Sequence, residues 1–238
     1  VCEYCRTTLL KDAESVRDLG KMAEVLEDYS PLRIGVSGRY EGQGFTVLGR
    51  IQLRYAAGFW NEWYLLRDDG SGAWLSDAAG QYAITRETTA PAQPPRFDSL
   101  RAGQRVALGE GVGIVSDVRR ARCVAGQGEL PFTVGAGWEA RVADLRQGKR
   151  FLSLDYSDGD PPRLYAGQAL KLDALQCQLL RAPEEIRDAA GRYKGKVGAL
   201  ACPSCGASAS YSPGATTHLI CPACRARIDT SGAVAEVL

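Results

Sequence analysis

Apolar and polar positions change rhythm several times along the chain. Between Asp12 and Asp28, the apolar residues Val16, Leu19, Met22, Ala23 and Leu26 recur at helical spacing. This predicts a helix capped by Asp12, weakened at Gly20 and ended before Pro31. Beyond Pro31 the apolar runs shorten to Phe45–Ile51, Trp60–Leu66 and Ala73–Leu75, rich in β-branched and aromatic residues and divided by Asp68-Asp69-Gly70-Ser71-Gly72. Such runs predict antiparallel strands joined by tight turns. The stretch Thr88–Pro95, with Pro91, Pro94 and Pro95, reads as a linker.

After the linker the pattern begins again. Leu32-Arg33-Ile34-Gly35 is matched by Leu100-Arg101-Ala102-Gly103, and Val47–Ile51 finds a weaker echo in Ile114–Val118. Asn61–Tyr64 is set against Glu129–Phe132, and the acidic residues Glu62 and Glu129 are read as counterparts in the two copies. Leu65–Gly70 is set against Ser153–Gly159, and Gly80–Ile84 against Gly167–Leu170. The expectation is two copies of one β-fold, the second carrying an insertion around Gly135 to Arg150. Residues 183–196 read as a short helix acting as a spacer. The fold class expected is mainly β: two tandem small antiparallel barrel- or sandwich-like domains, zinc-ribbon knuckles and one N-terminal helix. The expected boundaries are a partial knuckle with helix over 1–30, a first β domain over 31–87, a linker over 88–99, a second β domain over 100–181, a spacer over 182–200 and a ribbon over 201–238.

Composition narrows the classes. With 45% hydrophobic and 24% charged residues the chain has the make-up of a globular protein. The 29 basic residues nearly cancel the 28 acidic ones, so no overall field draws the chain to nucleic acid or anionic lipid. No apolar run approaches the roughly 18 residues of a spanning helix, and no signal segment opens the sequence. These features predict a cytoplasmic protein.

Six of the eight cysteines fall in CxxC pairs: Cys2/Cys5, Cys202/Cys205 and Cys221/Cys224. Two thiolates on one tight turn can reach one metal, and two such turns supply the tetrahedral four-sulfur shell that zinc prefers. Fifteen residues separate Cys205 from Cys221, the length of a short hairpin, so Cys202, Cys205, Cys221 and Cys224 are assigned to a structural Zn2+ ribbon. Pro203, Gly206 and Pro222 suit the knuckle turns. His218, the single histidine, reads as a hairpin residue, because four thiolates leave no open position on the metal. Cys2-Glu-Tyr-Cys5-Arg6 resembles Cys221-Pro-Ala-Cys224-Arg225, so Cys2 and Cys5 read as the second half of another ribbon whose first CxxC lies upstream of Val1. Cys123 and Cys177 read as small buried hydrophobes, with completion of the Cys2/Cys5 site as the alternative.

Trp60-Asn61-Glu62-Trp63-Tyr64-Leu65-Leu66, Gly72-Ala73-Trp74-Leu75-Ser76-Asp77 and Gly49-Arg50-Ile51 together resemble the bacterial domain of unknown function 4178 family. Gly128–Phe132 and Phe151–Ser157 look like the second member of a tandem pair, and zinc knuckles flank the domain in similar proteins. The family has no assigned activity. Its members are often encoded beside small membrane proteins, polyamine aminopropyltransferase-like proteins or membrane-stress components, so the resemblance implies a partner role.

Catalysis would start from Glu62, Asp68, Asp69, Asp77, Asp155 and Asp158, yet most of these sit where hairpin turns are expected, and neither β copy contains a histidine. Trp60, Trp63, Tyr64 and Trp74 concentrate aromatic surface suited to a protein partner, with Trp60 and Tyr64 on one strand face and Trp63 on the other. Arg50, Arg54, Arg119, Arg120 and Arg122 raise nucleic acid as an alternative, against which the near-zero net charge stands. The expected function is therefore a non-enzymatic, zinc-stabilised adaptor in a membrane-associated or stress-related bacterial system. The alternatives are a nucleic-acid-binding ribbon protein and an accessory subunit of an aminopropyltransferase-like enzyme.

Overall fold

The computed structural model describes residues 30–55, 58–78, 80–109, 111–132, 138–190, 198–202, 205–211, 218–221, 223–229 and 236–237, together with two strands before residue 30. Those two are β1 (Thr7–Lys11) and β2 (Val16–Lys21), paired antiparallel with Leu10 opposite Arg17. The helix expected over 12–28 is thus replaced by a strand across 16–21; residues 12–15 and 22–29 lie outside the described residues. The physical reason is local. Gly20 weakens a helix, and the β-prone run Thr7–Leu10 offers a partner strand.

Ten strands follow: β3 (Ser37–Tyr40), β4 (Gln43–Tyr55), β5 (Gly58–Arg67), β6 (Gly72–Ala78), β7 (Gln81–Thr88), β8 (Arg105–Leu108), β9 (Gly111–Gly128), β10 (Glu139–Gln147), β11 (Arg150–Asp155) and β12 (Arg163–Leu170). Their order in the sheet is β3-β4-β5-β6-β7-β12-β11-β10-β9-β8, and β4 also pairs with β9. The extra pairing closes eight of them into one barrel. The chain is mainly β, as expected, but strands of both expected copies enter a single closed sheet, so neither copy closes a barrel of its own.

The chain forms two compact units, one of residues 1–77, 121–140 and 172–192, the other of 78–120, 141–171 and 193–238. In the first, β4 and β5 alternate a buried face, with Phe45, Val47, Trp63 and Leu65 buried, and Leu75 of β6 joins them. The turn between β5 and β6 is set by its residues: Gly70 takes a left-handed φ of 79°, and Asp69 Oδ1 accepts a hydrogen bond from Ser71 N at 2.9 Å. In the second unit, Val106, Leu108, Val115, Leu145, Leu152, Leu154 and Tyr156 build the core.

The approach to each long strand uses the same backbone bonds. Gly35 N donates to Val47 O and Val47 N to Val36 O; 68 residues on, Gly103 N donates to Val115 O and Val115 N to Gln104 O. Gly35 and Gly103 share a left-handed φ of 87° and 83°. At the β4–β9 seam the chains approach so closely that a Cβ on Gly49 would lie 1.9 Å from Glu129 O. The expected match of Glu62 with Glu129 does not hold at the level of elements. Glu62 lies within β5, opposite Ser76 of β6, whereas Glu129 follows the end of β9.

A short helix, α1 (Pro183–Ala190), lies in the spacer region. The C-terminal strands β13 (Gly198–Ala201) and β14 (Ser208–Tyr211) form one hairpin, and β15 (His218–Ile220), β16 (Arg227–Asp229) and β17 (Glu236–Val237) form a second small sheet. Among the described residues no helix is long and apolar enough to cross a membrane.

Candidate metal centre

Two hairpin turns in the C-terminal segment are built alike. Cys202 N donates to Ala207 O at 2.8 Å and Gly206 N to Cys202 O at 2.7 Å. Nineteen residues on, Cys221 N donates to Ala226 O at 2.8 Å and Arg225 N to Cys221 O at 3.0 Å. Gly206 and Arg225 both take left-handed backbone, at φ 74° and 65°. Each turn therefore folds its two cysteines to the same side.

The result is a cluster of four sulfurs, those of Cys202, Cys205, Cys221 and Cys224, all within 4.8 Å of one another. Cys202 Sγ lies 3.7 Å from Cys224 Sγ, and Cys205 Sγ 3.7 Å from Cys221 Sγ. Disulfide sulfurs would lie at about 2.05 Å. A regular tetrahedron with metal–sulfur bonds of about 2.3 Å has an edge of about 3.8 Å, so the donor set fits a four-coordinate thiophilic cation. Three of the four cysteines are buried, and Ala207 and Ile228 pack beside them.

The electrostatics agree. Burial, with the neighbouring thiols, pushes the Cys205 thiol well above its ordinary range. Burial acts the same way on Cys224, but bonds from Ala226 N–H and the other thiols outweigh it and hold that group down to about 7. Four thiolates packed together repel one another unless a cation sits among them.

One side chain ties this turn to the barrel strands of the same unit. Arg146 of β10 donates from Nη2 to Gly206 O at 3.2 Å, and its guanidinium lies 4.6 Å from the centre of the Phe151 ring. A Cβ on Gly206 would lie 2.9 Å from Arg146 Nε, so a side chain there would displace the arginine that bonds its carbonyl. Beside Arg146, burial and then the charge of Asp117 raise Asp144 to about 6, opposed by Ser153, Arg119 and Arg146. Sequence reasoning had no means of finding this group, because its members are brought together only by strand register.

The remaining expected sites fall as follows. Cys2, Cys5, Pro203 and Pro222 lie outside the described residues. Cys123 is buried and Cys177 half-buried; burial pushes both thiols up to about 11. Trp63 is fully buried under the Arg50 guanidinium, and Trp60 is buried with its Nε1 donating to Glu62 Oε1 at 2.7 Å. Neither offers a partner-binding face. Tyr64 and Trp74 are half-buried and continue into Phe132 and Trp138: ring centres run Tyr64–Trp74 5.3 Å, Trp74–Phe132 5.7 Å and Phe132–Trp138 5.7 Å. The carboxylates have local partners. Asp68 Oδ2 accepts from Gly44 N, Asp155 Oδ1 from Ser157 N, Asp77 Oδ2 from Ser30 Oγ, Glu62 from Ser76 Oγ, and Asp158 pairs with Arg163.

A family model described as a domain of unknown function (DUF4178) matches residues 33–172. No curated protein and no solved structure matches the chain.

Proposed function

The chain belongs to the DUF4178 family, and from that premise we propose that it is a non-enzymatic, zinc-stabilised adaptor that binds other proteins. The observation that carries this reading is the aromatic row Tyr64–Trp74–Phe132–Trp138. Phe132 is 39% exposed, and the other three are half-buried. Flat aromatic faces in contact offer large apolar area at low entropic cost, the character of a protein-binding surface.

Zinc is the cation that best suits four buried thiolates at these separations. A closed sulfur shell leaves no position at which water is activated, so the metal holds the ribbon together and supplies no nucleophile. Reduced thiols agree with a cytoplasmic setting. The recurrence of the same backbone bonds at Gly35/Val47 and Gly103/Val115 supports β3–β7 and β8–β12 as tandem copies of one five-stranded unit. We place the partner in a membrane-associated or stress-related bacterial system, following the resemblance already described.

The test is affinity capture with the full chain from nuclease-treated lysate, set against the double variant Trp74→Ala/Phe132→Ala. A defined set of proteins should be retained by the wild type and lost by the variant, whose metal content and melting temperature stay unchanged. Retention of the same set by the variant would refute the adaptor reading.

A further inference from the structure

Strand register places two arginines side by side on the first unit. Arg54 of β4 lies directly opposite Arg122 of β9, and on its other flank directly opposite Phe59 of β5. Residues directly opposite across antiparallel strands share a face, with Cβ atoms about 4.5–5.5 Å apart, and like charges so placed are destabilising. Both arginines are exposed, and neither makes an ion pair among the described residues. Glu139 follows Trp138, whose carbonyl accepts from Cys123 N, so the next strand carries one acidic residue beside Arg122 in the sheet, with no ion pair between the two among the described residues. It offsets at most one of the two charges.

The same face stays polar as it turns inward. Gln52, two residues back along β4, is fully buried and donates to Asn61 Oδ1 at 3.3 Å; Arg50, two residues further, is buried and donates to the same oxygen at 3.0 Å. Trp63, opposite Arg50, is fully buried and its Nε1 has no hydrogen-bond partner. An exposed arginine pair above a buried polar stripe is an arrangement that an oxyanion completes, because guanidinium forks match phosphate oxygens two at a time. Phe59, half-buried and directly opposite Arg54, places an aromatic side chain in the same row, the residue type on which a flat base stacks.

We propose that Arg54 and Arg122 form a phosphate-binding pair and that Phe59 stacks the base, so that the ligand is a nucleotide unit, free or within a single strand. The proposal is independent of the adaptor reading, since none of its residues belongs to the aromatic row.

Calorimetric titration of the full chain at low salt with inorganic phosphate, ribose 5-phosphate and AMP tests it, with a labelled single-stranded oligonucleotide as a fourth arm. AMP should bind at least fivefold more tightly than ribose 5-phosphate, and Phe59→Leu should abolish that difference while leaving phosphate binding in place. Arg54→Gln and Arg122→Gln should each weaken AMP about tenfold, whereas Arg105→Gln, an exposed arginine on β8, should leave it unchanged. Preference for the oligonucleotide over AMP assigns the phosphates to a strand, and preference for AMP assigns a free nucleotide; both uphold the site. Absence of millimolar binding to any phosphate compound, or an equal loss in Arg105→Gln, overturns it. So does a lower melting temperature of ligand-free Arg54→Gln, which would give that arginine a structural part instead.

Discussion

At the scale of single residues, side chains close in space decide how charge is tolerated. Asp144 illustrates this. Burial first, and the Asp117 charge second, raise its folded-state value from 3.8 to about 6. Between those values the unfolded chain has lost the proton that the folded chain keeps, so stability from this group is present at the acid end and falls as pH rises through about 6. Asp144→Asn should therefore melt close to the wild type at pH 4 and above it at pH 7, in scanning calorimetry at the two values. A variant that melts lower at pH 7 would show that the charge of Asp144 supports the fold. Nothing in the run Val142-Ala143-Asp144-Leu145 marks that aspartate out, since the neighbours that act on it, Asp117 and Arg119, come from another strand.

At the scale of elements, alternation was readable in the sequence and pairing was not. Phe45, Val47, Trp63, Leu65 and Leu75 were legible as strand residues, and the split of Trp63 from Tyr64 onto opposite faces follows from a period of two. Seams between distant strands depend on a different property, the closeness of two backbones. Gly49 meets Glu129 O across β4 and β9, so Gly49→Ala should shift the urea midpoint by an amount corresponding to about 2–3 kcal/mol, the scale of overpacking. An unchanged midpoint would mean that the seam has room for a methyl group. The N-terminal segment went the other way. A helical spacing over Val16–Leu26 was legible, but pairing between β1 and β2 takes residues 16–21 into a strand.

At the scale of the whole molecule, the ribbon and the barrel rest on different forces. Among the described residues the ribbon's buried cluster is Cys202, Cys205, Ala207, Cys221 and Ile228, a small apolar core of the kind that metal ligation supplements. All four tryptophans, at 60, 63, 74 and 138, lie outside it. Removing metal with a chelator, or replacing Cys202 by Ser, should make the remaining ribbon thiols reactive while tryptophan emission stays constant. A parallel shift of the emission would show that barrel and ribbon unfold together. The sequence by itself determined the four-thiol site and the β character, because CxxC spacing and two-residue alternation are local properties of the chain. Tertiary structure alone decided that both halves enter one closed sheet, that Arg146 reaches Gly206, that Tyr64 and Trp74 continue into Phe132 and Trp138, and that Arg54 faces Arg122. Each of these depends on which residue stands opposite which across strands far apart in the chain, and alternation carries no information about register between them.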